Sequence, residues 1–430
     1  MTTWHNWSGS VTSRPTAIRT PATLEAIIAV VQECRAANRG LRVVGAGHSF
    51  TPLVATDAIL VSLDHYTGLE SVDQDAKTVT VKAGTRIKAL GELLFQRGFA
   101  QENLGDIDVQ TIAGAISTGT HGTGIQFGSL STQVCALKLV TGDGQIVECS
   151  ETYNRDLFKA AQVSMGALGI IVSVRLRVLP AYKLRIEIRK KSLSECLKNL
   201  DAYKRDNRHF EFHWIPYTDT VQAKFANETV ELPSAKGLWS TFNEYAIENA
   251  ALWLFSAFNR QFPRNSESVC KLMANFISDS TNIDEAHRVF ASVRLVKFQE
   301  MEYNLPAEHF AAAIQEIDAT IRREHFQVHF PIECRFVQQD DIYLSPASGR
   351  ESCYIAVHMF KGMPYREYFD AMEAIFKKYN GRPHWGKLHT RQADDLPTLY
   401  PHWDDFQAAR QQLDPQRVFT SAYLESILGE

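Results

Sequence analysis

The stretch that decides the fold is Leu41–Phe50, which reads LRVVGAGHSF. Its opening residues are mostly apolar or β-branched and suit a buried strand. Gly45 and Gly47 then free the backbone to turn successive N–H groups into one concavity, a geometry that binds anions. We therefore predict a strand that ends in a pyrophosphate-binding loop, with His48 directly after the glycines. An ordinary glycine-rich turn is the alternative, because Gly-x-Gly alone is a weak motif.

The same stretch does not fit a nicotinamide-type Rossmann turn. That fingerprint needs a third small residue where Phe50 stands, followed by a full helix. The next strand-like run, residues 58–63, follows closely, whereas a parallel crossover needs about a dozen residues. We therefore predict a loop between strands rather than a strand-loop-helix unit.

Length and composition define the class of protein. A chain of 430 residues exceeds what one core usually supports, so two domains are expected. Hydrophobic content of 45% with 22% charged residues is typical of a soluble globular protein. A formal net charge of −4 gives no reason to expect nucleic acid as a partner.

Cysteine usage and the N-terminal residues indicate the compartment. The seven cysteines are scattered singly, which favours reduced thiols in the cytoplasm over a disulfide framework or a metal site. The first ten residues lack the apolar region of a secretory signal. Residues 246–258 are too short and too interrupted to span a bilayer, so we predict a core helix or an interfacial contact, with membrane contact unfavoured.

Helix and strand signals divide the chain near residue 180. Thr20 and Pro21 are predicted to begin a helix that Gly40 ends. Before the boundary the composition is rich in small residues, and beyond it aromatic and charged residues increase. Further predicted elements are a strand at 78–83, a helix at 86–97, a hairpin at 134–149 and a strand at 171–178.

Residues 111–124 form a second stretch rich in glycine and hydroxyl groups. Such a sequence packs poorly as core and well around a polar ligand, because glycine leaves room beside the backbone. A flexible surface loop is the alternative. We prefer the ligand-lining interpretation, since a long surface loop would normally carry more charge.

Two strands of the second domain, taken as residues 181–387, alternate sharply. In His209–Trp214 the aromatic side chains share one face. In Phe330–Val337 the apolar residues point one way, and Glu333 and Arg335 point the other. One face then needs apolar cover, and the other can line a pocket. Residues 406–413 are predicted to be helical and to end at the Asp-Pro pair that follows.

Four motifs occur in order along most of the chain: Gly45–Ser49, Gly119–Gly122, Glu333-x-Arg335 and His384–Lys387. Together they resemble the FAD-dependent sugar-lactone and polyol oxidases of the vanillyl-alcohol-oxidase fold. The resemblance implies an α+β fold with a two-subdomain, PCMH-type FAD-binding domain at 1–180. It further implies an α+β substrate (cap) domain with an antiparallel sheet at 181–387, and a C-terminal segment, 388–430, that returns to the first domain.

The resemblance also assigns residues to the cofactor. His48 falls on the histidine that many members link covalently to the flavin 8α-methyl, which favours an oxidase-type member. His121 has an alternative role as a brace for its loop. The full set predicted to contact FAD is Gly45, Ala46, Gly47, His48, Ser49, Ser117, Gly119, Thr120, His121, Gly122, Gly166, Gly169 and Ile170.

For catalysis the resemblance favours Glu333, Arg335 and Lys387. Hydride transfer to flavin leaves negative charge on the substrate oxygen and on the reduced ring, so fixed cations are needed near both. Outside the family, a Glu-x-Arg pair is more often a solvated salt bridge. His384 and His389 flank Lys387, and either could share the proton transfer.

The expected function is oxidation of a sugar-derived alcohol by hydride transfer to FAD. An aldono-1,4-lactone of the gulono or arabinono type is the favoured substrate, with O2 as acceptor giving H2O2. Alternatives are an alditol oxidase, a flavin reductase of the same fold and a non-catalytic flavin binder in which Glu333 and Arg335 are structural. The partners are then a small sugar lactone or polyol and O2 or another electron acceptor.

Overall fold

A computed structural model describes residues 3–234, 250, 252–291 and 294–429 of the chain. The strands are β1 Trp4–His5, β2 Thr12–Ser13, β3 Ala17–Arg19, β4 Leu41–Val44, β5 Ile59–Ser62, β6 Leu69–Asp73, β7 Thr78–Lys82, β8 Phe99–Ala100, β9 Val134–Val140, β10 Ile146–Ser150, β11 Ile170–Arg177, β12 Leu179–Pro180, β13 Lys183–Ser192, β14 His209–Trp214, β15 Thr220–Thr229, β16 Ser280–Glu285, β17 Phe298–Pro306, β18 Ile332–Val337, β19 Ser352–Phe360 and β20 Arg382–Pro383. The α-helices are Leu24–Ala36, Ile87–Phe95, Ile112–Ser117, Arg155–Ala161, Leu193–Lys198, Leu200–Asp206, 252–261, Ser266–Phe276, Ala286–Val289, Phe310–Glu324, Arg366–Lys378, Trp403–Leu413 and Ala422–Leu428.

Two sheets form the N-terminal part of the fold. Strands β10-β9-β11-β7-β6 make an antiparallel sheet, and β3-β5-β4 make a small parallel one. Their apolar faces share one core with the last two helices, through residues such as Trp403, Phe406 and Leu424. The segment 388–430 therefore packs against the N-terminal sheets, while the exact domain bounds stay a prediction.

The glycine loop follows β4 as the sequence indicates. No helix occurs in residues 45–58, which confirms the prediction against a strand-loop-helix unit. Strands β4 and β5 nevertheless pair in parallel, with Leu41 opposite Ile59. Residues 45–58 are just long enough for that crossover without a helix.

One local prediction was wrong, and one alternative is ruled out. The first helix is capped by Thr23 rather than Thr20, because the Thr23 hydroxyl accepts the Ala26 N–H (3.2 Å). Within 111–124 the chain forms the short helix Ile112–Ser117, capped by Thr111. Residues 118–124 are buried, so this stretch is not a surface loop.

The cap sheet has the order β16-β13-β15-β14-β18-β19-β17-β20, and every pairing in it is antiparallel. Phe212, Cys334 and Ile355 belong to its apolar face, which the helices Phe310–Glu324 and Arg366–Lys378 cover. The predicted antiparallel cap sheet and its alternation are confirmed. The opposite face carries the charged side chains described below.

Residues 246–249 and 251, part of the predicted core helix, lie outside the described residues. In the described remainder, Trp253 is 54% exposed and Leu254 is 61% exposed, so this part is not a core helix. The helix instead buries the polar residues Ser256 and Asn259. No helix among the described residues is long and apolar enough to cross a membrane.

Ser256 and Asn259 enclose a buried histidine, His329. Asn259 donates to its Nδ1 and the Nε2–H donates to Ser256 Oγ, both over 2.9 Å. Burial lowers the pKa of His329 from 6.5 to about 4. The pKa of His329 is lower in the folded protein than in the unfolded chain. The contribution of this histidine to the free energy of unfolding is therefore complete above pH 6.5 and is lost as the pH falls toward 4.

We expect this histidine to contribute about 2 kcal/mol to the loss of stability between pH 7 and pH 5. Urea unfolding of His329→Asn should show a correspondingly weaker pH dependence than the wild type. The exposed His65 supplies the control, and His65→Asn should keep the wild-type pH dependence. An unchanged slope in His329→Asn would show that folding does not lower the pKa of His329.

Candidate active site

Two clefts meet at the glycine loop. The larger one, about 890 Å³, runs along β4 and the helix Ile112–Ser117. The other, about 720 Å³, lies between the glycine loop and the charged face of the cap sheet. His48, Ser49, Gln110 and Thr118 line both clefts. A ligand in the larger cleft can therefore reach into the second one beside His48.

The larger cleft fits a dinucleotide such as FAD. Among the described residues, those that line it include no Asp, Glu, Lys or Arg, so phosphates would be held by backbone N–H groups and hydroxyls. Gly47 has φ +68°, and a Cβ there would lie 3.2 Å from Trp4. A Cβ at Gly45 would approach the Thr111 hydroxyl within 2.5 Å. Both glycines are thus required by the shape of the loop.

The predicted cofactor residues are distributed over both clefts. Gly45, Ala46, Gly47, His48, Ser49, Ser117, Gly166, Gly169 and Ile170 line the larger cleft. Thr120 and His121 line the second one. Gly119 and Gly122 are not among the lining residues. Gly122 instead packs against Leu104 and Asn103, where a side chain would clash.

Arg42, in the middle of β4, is a residue that the sequence analysis missed. Its guanidinium is fully buried and donates to the carbonyl oxygens of Met165 (2.6 Å), Gly166 (3.0 Å) and Phe419 (2.8 Å). Burial lowers its pKa to about 9. Arg42 therefore ties the glycine-loop strand to the far end of the larger cleft. An arginine inside an apolar strand is the signal that could have revealed it.

Strand register assembles the charged wall of the second cleft. Arg335 on β18 lies opposite Glu211 on β14, and Glu333 lies opposite His213. Arg335 Nε pairs with Glu333 Oε1 (2.8 Å) and Glu211 Oε2 (2.9 Å). Its Nη2 pairs with Asp106 Oδ2 (2.5 Å). Three carboxylates from different elements therefore hold the Arg335 guanidinium at the wall of the second cleft.

Neighbouring cations keep the carboxylates of this wall ionised. Burial raises the pKa of Asp106, but Arg335 outweighs this effect and holds the pKa at about 2. The pKa of Glu333 is likewise held well below its ordinary value, since Arg335 and His213 outweigh burial. Arg294 also contacts Asp106 (2.8 Å). The Glu-x-Arg pair is buried, so it is not a solvated surface salt bridge.

A second charged group surrounds Lys387. Its Nζ pairs with Glu300 Oε2 (2.5 Å) and lies 4.0 Å from Glu302 Oε2. Burial raises the pKa of Glu300, but Lys387 and His358 lower it further than burial raises it. Glu300 and Glu302 alternate on β17 as Glu333 and Arg335 do on β18. That alternation was the signal that could have revealed them from the sequence.

His121 contacts an acceptor with each of its ring nitrogens. The Nδ1–H of His121 donates to the Gly122 carbonyl oxygen (2.9 Å), and Nε2 lies 3.1 Å from Glu302 Oε1. Burial raises the pKa of Glu302, but His121 and Lys387 lower it further than burial raises it. The His121 ring also stacks on Tyr354 with 3.6 Å between the ring centres.

The tertiary structure separates the roles of His384 and His389. His384 lines the second cleft, and its Nδ1 accepts the Gly386 N–H (3.0 Å), which leaves the proton on Nε2. Burial and Lys387 lower its pKa to about 3, so it is a neutral donor. His389 instead faces the Tyr423 hydroxyl (3.0 Å) and lines neither cleft.

His121, Glu302 and His384 could hold a metal ion by distance alone, since their ligand atoms lie within 4.8 Å of one another. However, Nδ1 of His384 already accepts a backbone N–H, and its Nε2 carries a proton. This hydrogen bonding favours a protonated cluster over a metal site.

Backbone contacts join the two loops that carry His48 and Lys387. The Phe50 N–H donates to the Gly386 carbonyl oxygen (2.7 Å). The Thr51 hydroxyl donates to the Trp385 carbonyl oxygen (3.2 Å). Lys387 Nζ lies 5.3 Å from the centre of the Phe50 ring. The glycine loop and the loop that carries Lys387 are therefore held in one fixed arrangement.

The fold and a cleft that opens into a charged pocket are those of a flavin-dependent oxidoreductase acting on CH–OH groups. Residues 15–150 match the FAD-binding domain family, so the cofactor is FAD. Residues 174–427 match the family described as D-arabinono-1,4-lactone oxidase. The chain belongs to this aldonolactone oxidase family, as the motif resemblance implied.

Similar proteins agree with this assignment. The chain is 40% identical to an L-gulono-1,4-lactone dehydrogenase of Mycobacterium tuberculosis, over 99% of both chains. It is 34% identical to the L-gulonolactone oxidase of Mus musculus, over 99% of this chain and 98% of that one. A variant of cholesterol oxidase from Brevibacterium sterolicum shares the fold, with a TM-score of 0.82 at 18% identity over 99% of this chain and 96% of that one.

Proposed function

We propose that this protein oxidises an aldono-1,4-lactone of the gulono or arabinono type, with FAD bound covalently through His48 and O2 as the electron acceptor. The observation that carries the proposal is the second cleft, where Arg335 and Lys387 face a pocket that opens onto His48. The names of the relatives support a lactone substrate. The seven free cysteines support a cytoplasmic location.

The lining of the second cleft suits a neutral, hydroxyl-rich substrate. Asp106, Glu300, Glu302 and Glu333 can accept hydrogen bonds from sugar hydroxyls, whereas three cations share the same wall. Because the carboxylates are held ionised by those cations, an anionic sugar phosphate would meet no excess positive charge. A polyhydroxy lactone meets donors and acceptors on every side.

Bound FAD supplies hydride acceptance, and the side chains of the wall supply charge and orientation. The Arg335 guanidinium lines this cleft and can stabilise negative charge as it develops there. Glu333 and Asp106 hold that guanidinium in place. Lys387 and the Nε2–H of His384 supply further donors at the other end of the pocket.

A substrate panel tests this function. Aldonolactones and alditols would be mixed anaerobically with the protein while flavin bleaching is followed, and peroxide would be measured under air. We expect gulono- or arabinono-1,4-lactone to bleach the flavin fastest and to yield peroxide in air. Faster bleaching by alditols would assign a polyol oxidase instead. Bleaching by none of them would favour a reductase or a non-catalytic flavin binder.

A further inference from the structure

The N-terminal hairpin, residues 4–13, lies over the glycine loop. Strands β1 and β2 pair with Trp4 opposite Ser13. The buried Asn6 side chain closes the turn, since its Oδ1 accepts the N–H groups of Ser10 (2.9 Å) and Val11 (3.0 Å). Its Nδ2 donates to the Ser49 carbonyl oxygen (3.0 Å). The hairpin is thus bonded directly to the loop that carries His48.

Trp7 stacks against His48. The Trp7 N–H donates to the Gly47 carbonyl oxygen (2.7 Å). Its indole stacks on the His48 imidazole, with 5.3 Å between the ring centres and 21° between the ring planes. Both rings line the second cleft. The stack restricts rotation of the imidazole about its side-chain bonds.

The indole also contacts two phenylalanine rings, one beside the glycine loop and one on the cap sheet. The distance between ring centres is 6.3 Å to Phe50 and 5.4 Å to Phe298 on β17, and both pairs are T-shaped. Lys361, which follows β19, donates to the Ser8 carbonyl oxygen (2.7 Å). The hairpin is therefore anchored to both parts of the fold, and Trp7 cannot swing away without breaking these contacts.

We propose that Trp7 is a positioning residue that orients His48 for covalent attachment of FAD, an inference that rests on the proposed function. Burial and the nearby cations Lys387, Arg86 and Arg294 lower the pKa of His48 to about 4, so its ring is neutral and keeps a lone pair. Stacking fixes the ring plane while leaving a ring nitrogen free to react.

The atoms and electrons of the attachment step balance when dioxygen is the oxidant. A carbon–nitrogen bond replaces one C–H bond of the flavin 8α-methyl group and the ring N–H bond of His48. The two hydrogens remain on the flavin as its reduced form. Dioxygen then accepts them and leaves as hydrogen peroxide, which restores the oxidised, covalently bound cofactor.

The test compares the covalent fraction of flavin in purified Trp7→Leu, Trp7→Phe and wild-type protein. Flavin left on acid-precipitated protein would be measured against total flavin. We expect Trp7→Leu to bind FAD but to attach about two- to tenfold less of it, the range that a lost aromatic contact implies. Trp7→Phe should restore most of the attachment. Trp253→Leu, at a tryptophan that is 54% exposed, should match the wild type.

Equal covalent fractions in Trp7→Leu and wild type would overturn this inference alone. Loss of all FAD from both Trp7 variants would also overturn it, because Trp7 would then serve binding rather than orientation. Wild-type protein that releases all of its FAD on denaturation would overturn the covalent link itself, and this inference with it.

Discussion

Replacing Arg335 with alanine is expected to slow flavin reduction by substrate about a thousandfold while FAD stays bound. Arg335 lines the second cleft and not the larger one, so its loss should spare cofactor binding. Its guanidinium lines the pocket and can stabilise the negative charge that develops there. The measurement is anaerobic stopped-flow bleaching of the flavin by the best substrate of the panel.

Removal of Arg335 also leaves Asp106, Glu211 and Glu333 with fewer cationic partners. Breaking a buried ion pair costs about 3–5 kcal/mol, so Arg335→Ala could unfold. Arg335→Lys keeps the positive charge but loses the planar fork, and it should stay folded with strongly reduced activity. Arg288→Ala is the matched control, because Arg288 is 49% exposed and, within the described part of the chain, its ion pair is with Glu92. If Arg335→Lys reduced its flavin at the wild-type rate, the guanidinium of Arg335 would have no catalytic role.

Replacing His48 with alanine is expected to abolish covalent flavin. Denatured wild-type protein should keep yellow flavin fluorescence on a gel, and His48→Ala should show none while its FAD appears in the supernatant. The larger cleft retains its other lining residues, so non-covalent FAD binding should survive. His65→Ala is the matched control, since His65 is exposed. Fluorescence that persists in His48→Ala would place the attachment elsewhere.

The covalent link is also expected to affect catalysis, because the resemblance to the family implies that such a link raises the redox potential of the flavin. We therefore expect His48→Ala to be reduced more slowly than the wild type even when saturated with FAD. A comparison of the flavin redox potentials of the two proteins would separate this effect from simple loss of cofactor.

Local patterns in the sequence predicted much of the architecture. The apolar run before Gly45 indicated a strand and a loop, and period-two alternation placed Glu333 and Arg335 on one face of β18. Both follow from short-range rules, since side chains alternate along a strand and glycine permits a positive φ. The same rules misplaced the cap of the first helix by three residues, because Thr20 and Thr23 both fit the pattern and only the Thr23 hydroxyl reaches an N–H group.

The sequence by itself determined the fold class, the glycine loop after β4 and the face of β18 that carries the Glu-x-Arg pair. Only the tertiary structure brought Asp106, Glu211 and Arg294 to Arg335, and Glu300 to Lys387, because these contacts join residues from different strands and loops. It also places His384, but not His389, in the lining of the second cleft, and it stacks Trp7 on His48. Strand register and loop packing decide such contacts, and they depend on the whole core rather than on any local pattern.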